Sequence, residues 1–233
     1  MSSKNWAGLK ERLDGLNQRI EKALHEALRN RAGLTMIAVS KRQPVAAVRA
    51  AYDQGIRHFG ENQIQEGIPK VRVLPDDIIW HFIGHLQKNK VRKAVKNFAY
   101  LHGIDSLSLL QRIDVLACEE RVHPKAFLQV NYALDPDKQG LHPEAVKPVM
   151  EAALGLKNVT CIGLMGIPPQ GSNPEKTEAY FRGMVALRDE LRESFTDWPG
   201  KLSLGMSGDF ELAIGLGAHY IRVGTVLFGE RVT

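Results

Sequence analysis

The sequence predicts an α/β fold, a single (β/α)8 barrel of the TIM type carrying an extra N-terminal helix. Three observations predict it. About eight short apolar runs recur along 233 residues, each but the last followed by a stretch with helical periodicity. The runs are nearly continuous in apolar residues, as strands of a parallel sheet covered on both faces must be. No composition break marks a linker, and no G-x-G-x-x-G follows the first run to favour an open dinucleotide-binding sheet. The expected organisation is one domain over 1–233, with the extra helix in 1–33 and the barrel in 34–233.

The elements follow in order. Residues 5–31 read as one long helix with Trp6, Leu9, Leu13, Leu16, Ile20, Ala23 and Leu24 on one stripe, a stripe expected to pack on the barrel wall rather than on a second subunit. Gly33 stands where that helix should stop. The strand "TMIAVS" (35–40) leads to a helix over 44–54, and a strand at 56–60 to a helix beginning near Gln63. "DIIWHFIG" (77–84) precedes a helix over 86–97, and "AYLHGI" (99–104) precedes one over 107–121 with Ser106 as its N-cap. "KAFLQVNY" (125–132) precedes a helix with Pro143 near its first position, and "NVTCIGLMGI" (158–167) precedes one announced by Asn-Pro-Glu. "KLSLGM" (201–206) leads to a short helix over 209–216, and "HYIRVGTVLFG" (219–229) is the eighth strand.

Composition narrows the function classes. The chain is 44% hydrophobic and 24% charged, with a formal net charge of +5 spread along its length. That balance suits an anionic small molecule, and no aromatic-and-basic platform speaks for a nucleic acid. Cys118 and Cys161 have neither pairing nor metal spacing, and both are expected to be buried thiols in a reducing compartment. No signal peptide and no apolar window of membrane-spanning length is read, so a cytoplasmic protein is expected.

In such a barrel the chemistry sits at the carboxyl ends of the strands. Those ends are Lys41, then Glu61 and Asn62, His85, Asp105, Asn131, Met165, Ser207 and Gly208, and finally Gly224 and Thr225. Lys41 closes "AVSK", where desolvation can lower an amine's pKa toward what Schiff-base chemistry needs; a strand-end lysine reaching for water is the plainer alternative. "GMSGDFELA" (205–213) places Ser207 and Gly208 in a strand-to-helix turn whose backbone N–H groups can take an anion. Alternation in "YIRVGT" puts Tyr220, Arg222 and Gly224 on one face, so Arg222 points into the barrel, toward a ligand or a buried carboxylate such as Glu61. Lys88, Lys90, Arg92, Lys93 and Lys96 read as the solvated face of an outer helix. A Schiff-base lysine, a phosphate cradle on the last two strands and an inward arginine outline a pyridoxal phosphate site, and equally a phosphosugar aldolase.

The motifs "AVSK" (38–41), "FGENQIQE" (59–66), "WHFIGHLQKNK" (80–90), "GLMGI" (163–167), "LGMSGD" (204–209) and "IRVGTVLFGER" (221–231), in this order and spacing, resemble those of the pyridoxal-phosphate homeostasis proteins, over nearly the whole chain. The resemblance implies a fold like the barrel domain of alanine racemase. It implies pyridoxal 5'-phosphate as cofactor, held as a Schiff base on Lys41. Ser207, Gly208, Gly224 and Thr225 would then hold the phosphate, Arg222 would face the pyridine nitrogen, and Asn62, His85 and Met165 would line the ring pocket. Gly208 departs from the family, which often carries a larger residue there. The implied role is intracellular vitamin B6 homeostasis, buffering the cofactor or delivering it to apo-enzymes, in a monomer or weak dimer. An arginine opposite the ring nitrogen weakens the electron sink, and the sequence runs out soon after Phe228, where alanine racemase adds a β-rich domain; little catalysis is therefore expected. A small amino-acid racemase is the alternative, and Tyr52, Tyr132 or His85 would have to serve as its base.

Overall fold

Eight parallel strands pair in sequence order and close on themselves, the first against the last, so the barrel has no sheet edge to protect. The computed structural model describes residues 8–229. Helix α1 (Gly8–Glu26) precedes the barrel. The alternating units are β1 (Thr35–Val39) and α2 (Val45–Asp53), β2 (His58–Glu61) and α3 (Ile64–Val73), β3 (Ile79–Phe82) and α4 (Val91–Asn97), and β4 (Tyr100–Ile104) and α5 (Leu107–Glu120). They continue with β5 (Lys125–Gln129) and α6 (Pro143–Leu154), β6 (Thr160–Met165) and α7 (Pro174–Ser194), β7 (Lys201–Ser203) and α8 (Phe210–Gly215), and β8 (Tyr220–Val223) and α9 (Thr225–Phe228). The predicted barrel is the observed one, and its helix starts hold locally: the Ser106 hydroxyl accepts from the Leu109 N–H, and the Asn173 amide oxygen accepts from the Lys176 N–H.

Several elements are shorter than the sequence suggested. The first helix stops at Glu26 because Leu28 turns left-handed (φ 52°) and Arg29 leaves to donate to the carbonyls of Ile214 and Ala218. Trp6 lies outside the described residues. The run at 219–229 divides at Gly224, whose carbonyl accepts from the N–H groups of Leu227 and Phe228; a one-turn helix therefore follows the eighth strand. Residues 88–90 form a single 3-10 turn before α4.

Strand residues that point outward pack with the helices in the main core, Phe59, Trp80, Phe82, Leu101 and Ile221 among them. Leu9, Leu13, Leu16, Ile20 and Leu24 of α1 are buried, so the stripe covers the barrel wall. At roughly 1.5–3 kcal/mol for each large apolar side chain removed from water, these five stabilise the packing by on the order of 10 kcal/mol before ordering entropy is subtracted. The basic face is solvated at Lys88, Arg92, Lys93 and Lys96, which are exposed, while Lys90 is half-buried; Arg92 and Lys96 pair with Glu119 and Glu120 of α5. Of the two thiols Cys161 is buried, but Cys118 is exposed, because it falls on the outer face of α5, between Leu116 and Ala117 on one side and the left-handed cap Arg121 on the other.

Candidate functional site

A cavity of about 430 Å³ opens at the carboxyl ends of the strands. Lys41, Asn62, His85, Ser207, Gly208, Arg222, Gly224 and Thr225, separated by up to 184 positions in the chain, all line it. Met165 does not. It is 1% exposed and packs one layer lower with Phe127, Ile162 and Tyr220, while Ile167, two residues on and so on the same face, reaches the cavity. Asn131 likewise stays out, because its side chain is spent on the loop after β5, donating to the carbonyls of Asp135 and Lys138 and accepting from the Asp135 N–H. Gln129 takes its place on the wall. The strand β5 ends at Gln129 and not at 132, so its last inward residue stands two positions earlier than the sequence predicts.

The floor is Arg222. Its guanidinium is 4% exposed and donates to the Ser203 carbonyl and hydroxyl, both at 2.7 Å, and to the Gly166 carbonyl at 3.0 Å. Burial pulls its pKa down to about 10, which leaves it charged at neutral pH. The carboxylate suggested by the sequence does not meet it. Glu61 instead lies outside the barrel under α3, accepting from Lys70 at 2.7 Å and the Ser40 hydroxyl at 2.6 Å.

That buried pair shapes the loop carrying Lys41. Lys70, 4% exposed, also donates to the Ser40 carbonyl and to Glu66, and Glu66 accepts the Arg42 N–H. The backbone on both sides of Lys41 is thus held by one ammonium and one carboxylate. Arg42 sits in the left-handed region (φ 60°), the turn that carries the chain away from the cavity after Lys41.

The other end of the cavity is made of backbone. The Ser207 hydroxyl accepts from the Gly224 N–H at 3.1 Å, joining the turn after β7 to the end of β8. Among the described residues, the N–H groups of Gly208 and Thr225 bond to no protein acceptor. A Cβ built on Gly208 meets nothing within 4 Å, so a larger residue would fit there. Asn62 and Gly84 close the rim by near contact of backbones, since a Cβ on Gly84 would stand 2.3 Å from the Asn62 carbonyl oxygen. His85 is exposed, with Nδ1 3.2 Å from the Asp105 carboxylate. Of the residues that could serve as a base, Tyr52 donates to Asp77 at the amino-terminal side of β3 and Tyr132 packs edge-on against Tyr180; His85 is the one that lines the cavity.

Residues 16–232 match the family model described as alanine racemase, N-terminal domain. A pyridoxal phosphate homeostasis protein of Aquifex aeolicus is 40% identical, over 95% of this chain and 97% of its own length. The chain belongs to the pyridoxal phosphate homeostasis protein family. PipY of Synechococcus elongatus, solved with pyridoxal phosphate bound, is 40% identical and superposes with a TM-score of 0.84 over 95% of this chain and all of its own. Alanine racemase of Clostridium difficile, at 15% identity and a TM-score of 0.76, shares the fold; the match covers 97% of this chain and 58% of the racemase. Within the described residues no helix is long and apolar enough to cross a membrane, and no group of His, Cys, Asp or Glu is arranged to hold a metal ion.

Proposed function

We propose that the chain binds pyridoxal 5'-phosphate in this cavity and serves its homeostasis in the cytoplasm, storing the cofactor or passing it to apo-enzymes, without robust catalysis of its own. The single observation that carries the reading is that an amine, an N–H cradle and a buried cation line one cavity. Lys41 would hold the aldehyde as a Schiff base. Ser207, Gly208, Gly224 and Thr225 would hold the phosphate through N–H groups and hydroxyls, and Arg222, a donor at every pH of interest, would face the ring nitrogen. The residues fit the group: donors without protein acceptors stand where an anion would lie, and the space at Gly208 is open. When bound, the cofactor supplies an aldehyde and an electron-withdrawing ring. The chain contributes a fixed lysine backbone, a preorganised anion site and a cation that disfavours ring protonation.

The test is the visible spectrum of the purified protein before and after borohydride, for wild type and Lys41→Ala. A yellow band lost on reduction, with the adduct mapped to Lys41, is the expected result. No band after adding pyridoxal phosphate would return the cradle to a sugar phosphate. Exchange of an amino-acid α-proton, lost in both Lys41→Ala and His85→Gln, would establish the racemase alternative.

A further inference from the structure

Below the cavity the barrel interior is not apolar. His102 Nδ1 lies 3.0 Å from the Ser203 hydroxyl, His81 Nδ1 lies 3.0 Å from His102 Nε2, and His58 Nδ1 lies 2.9 Å from His81 Nε2. Three strands thus each supply one inward histidine, and Ser203 links the last of them to Arg222. His81 and His102 are fully buried, and their rings are clamped by stacking, His81 on Tyr100 at 4.3 Å and His102 on Phe127 at 4.4 Å. His58 is half-buried and lines a cavity at the opposite mouth of the barrel, with Arg31 and Arg57.

One assignment of hydrogens satisfies every member. Arg222 has donors only, so the Ser203 oxygen must accept from it. The Ser203 hydrogen then goes to His102 Nδ1. A neutral imidazole donates from one nitrogen and accepts at the other, so His102 Nε2–H donates to His81 and His81 Nε2–H to His58, leaving the His58 Nε2–H at the far mouth. We propose that this one-directional chain makes His102 a positioning residue for Arg222, and that a proton taken up at His58 weakens the hold of Arg222 on the cofactor ring. The inference rests on Arg222 facing that ring. Protonated His58 must donate from Nδ1. His81 and His102 would then both have to change tautomer, and Ser203 would receive a second donor beside Arg222 instead of giving its own hydrogen. Burial holds all three rings below their ordinary value of 6.5, helped at His102 by the Arg222 charge and at His81 by the two neighbouring imidazoles.

Tyr100 comes from β4, with Lys125 of β5 donating to its hydroxyl, and Tyr220 and Arg222 come from β8. Around His58, Arg57 pairs with Asp77, and Arg31 pairs with Glu21 of α1. None of them is a carboxylate placed to hold a proton on an inner ring.

Nitrogen-15 NMR of the imidazoles at pH 7, on the cofactor-free protein, should show Nδ1 bare and Nε2 protonated in all three. The pH profile of pyridoxal phosphate affinity, read from the visible band between pH 8 and 5, should differ between wild type and His58→Gln. Wild-type Kd should rise against the variant by up to about tenfold per pH unit once His58 takes its proton, ionisations of the cofactor itself being common to both. Ser203→Ala, which cuts the link, should flatten the profile as His58→Gln does. A protonated Nδ1 on His102, or profiles identical in wild type and both variants, would overturn the inference and leave cofactor binding standing. Absence of any band in wild type would overturn the cofactor reading and this inference with it.

Discussion

Replacing Lys70 with methionine removes the cation from a carboxylate with no route to water. Glu61 is 0% exposed, its Oε2 has no partner among the described residues, and its remaining contact is the Ser40 hydroxyl at 2.6 Å. Burial already outweighs the Lys70 and Ser40 hydrogen bonds and pushes the Glu61 carboxyl above its ordinary value of 4.5. Removing one partner of such a pair costs about 3–5 kcal/mol, and Lys70→Met should lose that much in urea unfolding at pH 7. The sign with pH follows from linkage. The folded variant binds a proton on Glu61 more tightly than the unfolded chain does, so the deficit should shrink by up to about 1.4 kcal/mol per pH unit as pH falls toward 4.5. Lys70→Met combined with Glu61→Leu should recover most of the loss at pH 7, because an apolar pair of similar size needs no partner. A deficit below about 1 kcal/mol, or a double variant no better than the single, would refute the argument.

Acid should unfold the protein early. His81 and His102 are held well below 6.5 by burial, reinforced by their charged or imidazole neighbours, so the unfolded chain binds more protons than the folded one as pH drops below 6.5. Urea midpoints between pH 6.5 and 5.5 should fall with a slope of up to about 2.7 kcal/mol per unit for the two groups together; a flat profile there would show that the rings are not held neutral. Gly84→Ala should cost about 1–3 kcal/mol and weaken cofactor retention, since its Cβ must push the Asn62 carbonyl aside, whereas Gly208→Ala, which enters open space, should change stability by less than about 0.5 kcal/mol. Titration with an aromatic disulfide should find one fast thiol, Cys118. Cys161, with its pKa pushed up to about 12 by burial, should react only on denaturation, and two fast thiols in the native protein would contradict the packing.

Why some of this was legible in the sequence is a matter of range. Strand order, the caps at Ser106 and Asn173 and the inward face of Arg222 rest on local rules: apolar runs, oxygen-bearing caps, alternation along one strand. Met165 and Asn131 were misplaced because a strand's end is set by its neighbour's register. At β6 the register slips where Ala126 pairs with Cys161 but Phe127 with Gly163, and no pattern within 158–167 reveals it. The histidine column was invisible for a stronger reason. His81 sits in "DIIWHFIG" as a lone polar residue in an apolar strand; its partners are 21 and 23 positions away, and only closure of the barrel makes them neighbours. Nothing local to Lys70 marks it as the partner of Glu61; that pairing is made by α3 lying over the end of β2.

The first helix lines no part of the cavity, yet the turns at Gly208 and Gly224 depend on it and on the segment that follows it. Arg12 donates to the Leu227 carbonyl at the end of α9, Arg19 pairs with Glu211 of α8, and Arg29, just past the first helix, holds the Ile214 carbonyl in the last turn of α8 and the Ala218 carbonyl after it. These are the helices that lead away from Gly208 and Gly224. Both turns therefore hang from contacts spanning 185 to 215 positions, whose closure costs more chain entropy than pairing one strand with the next. Loss of Arg12 or Arg19 should therefore loosen both turns without altering a single residue that lines the cavity.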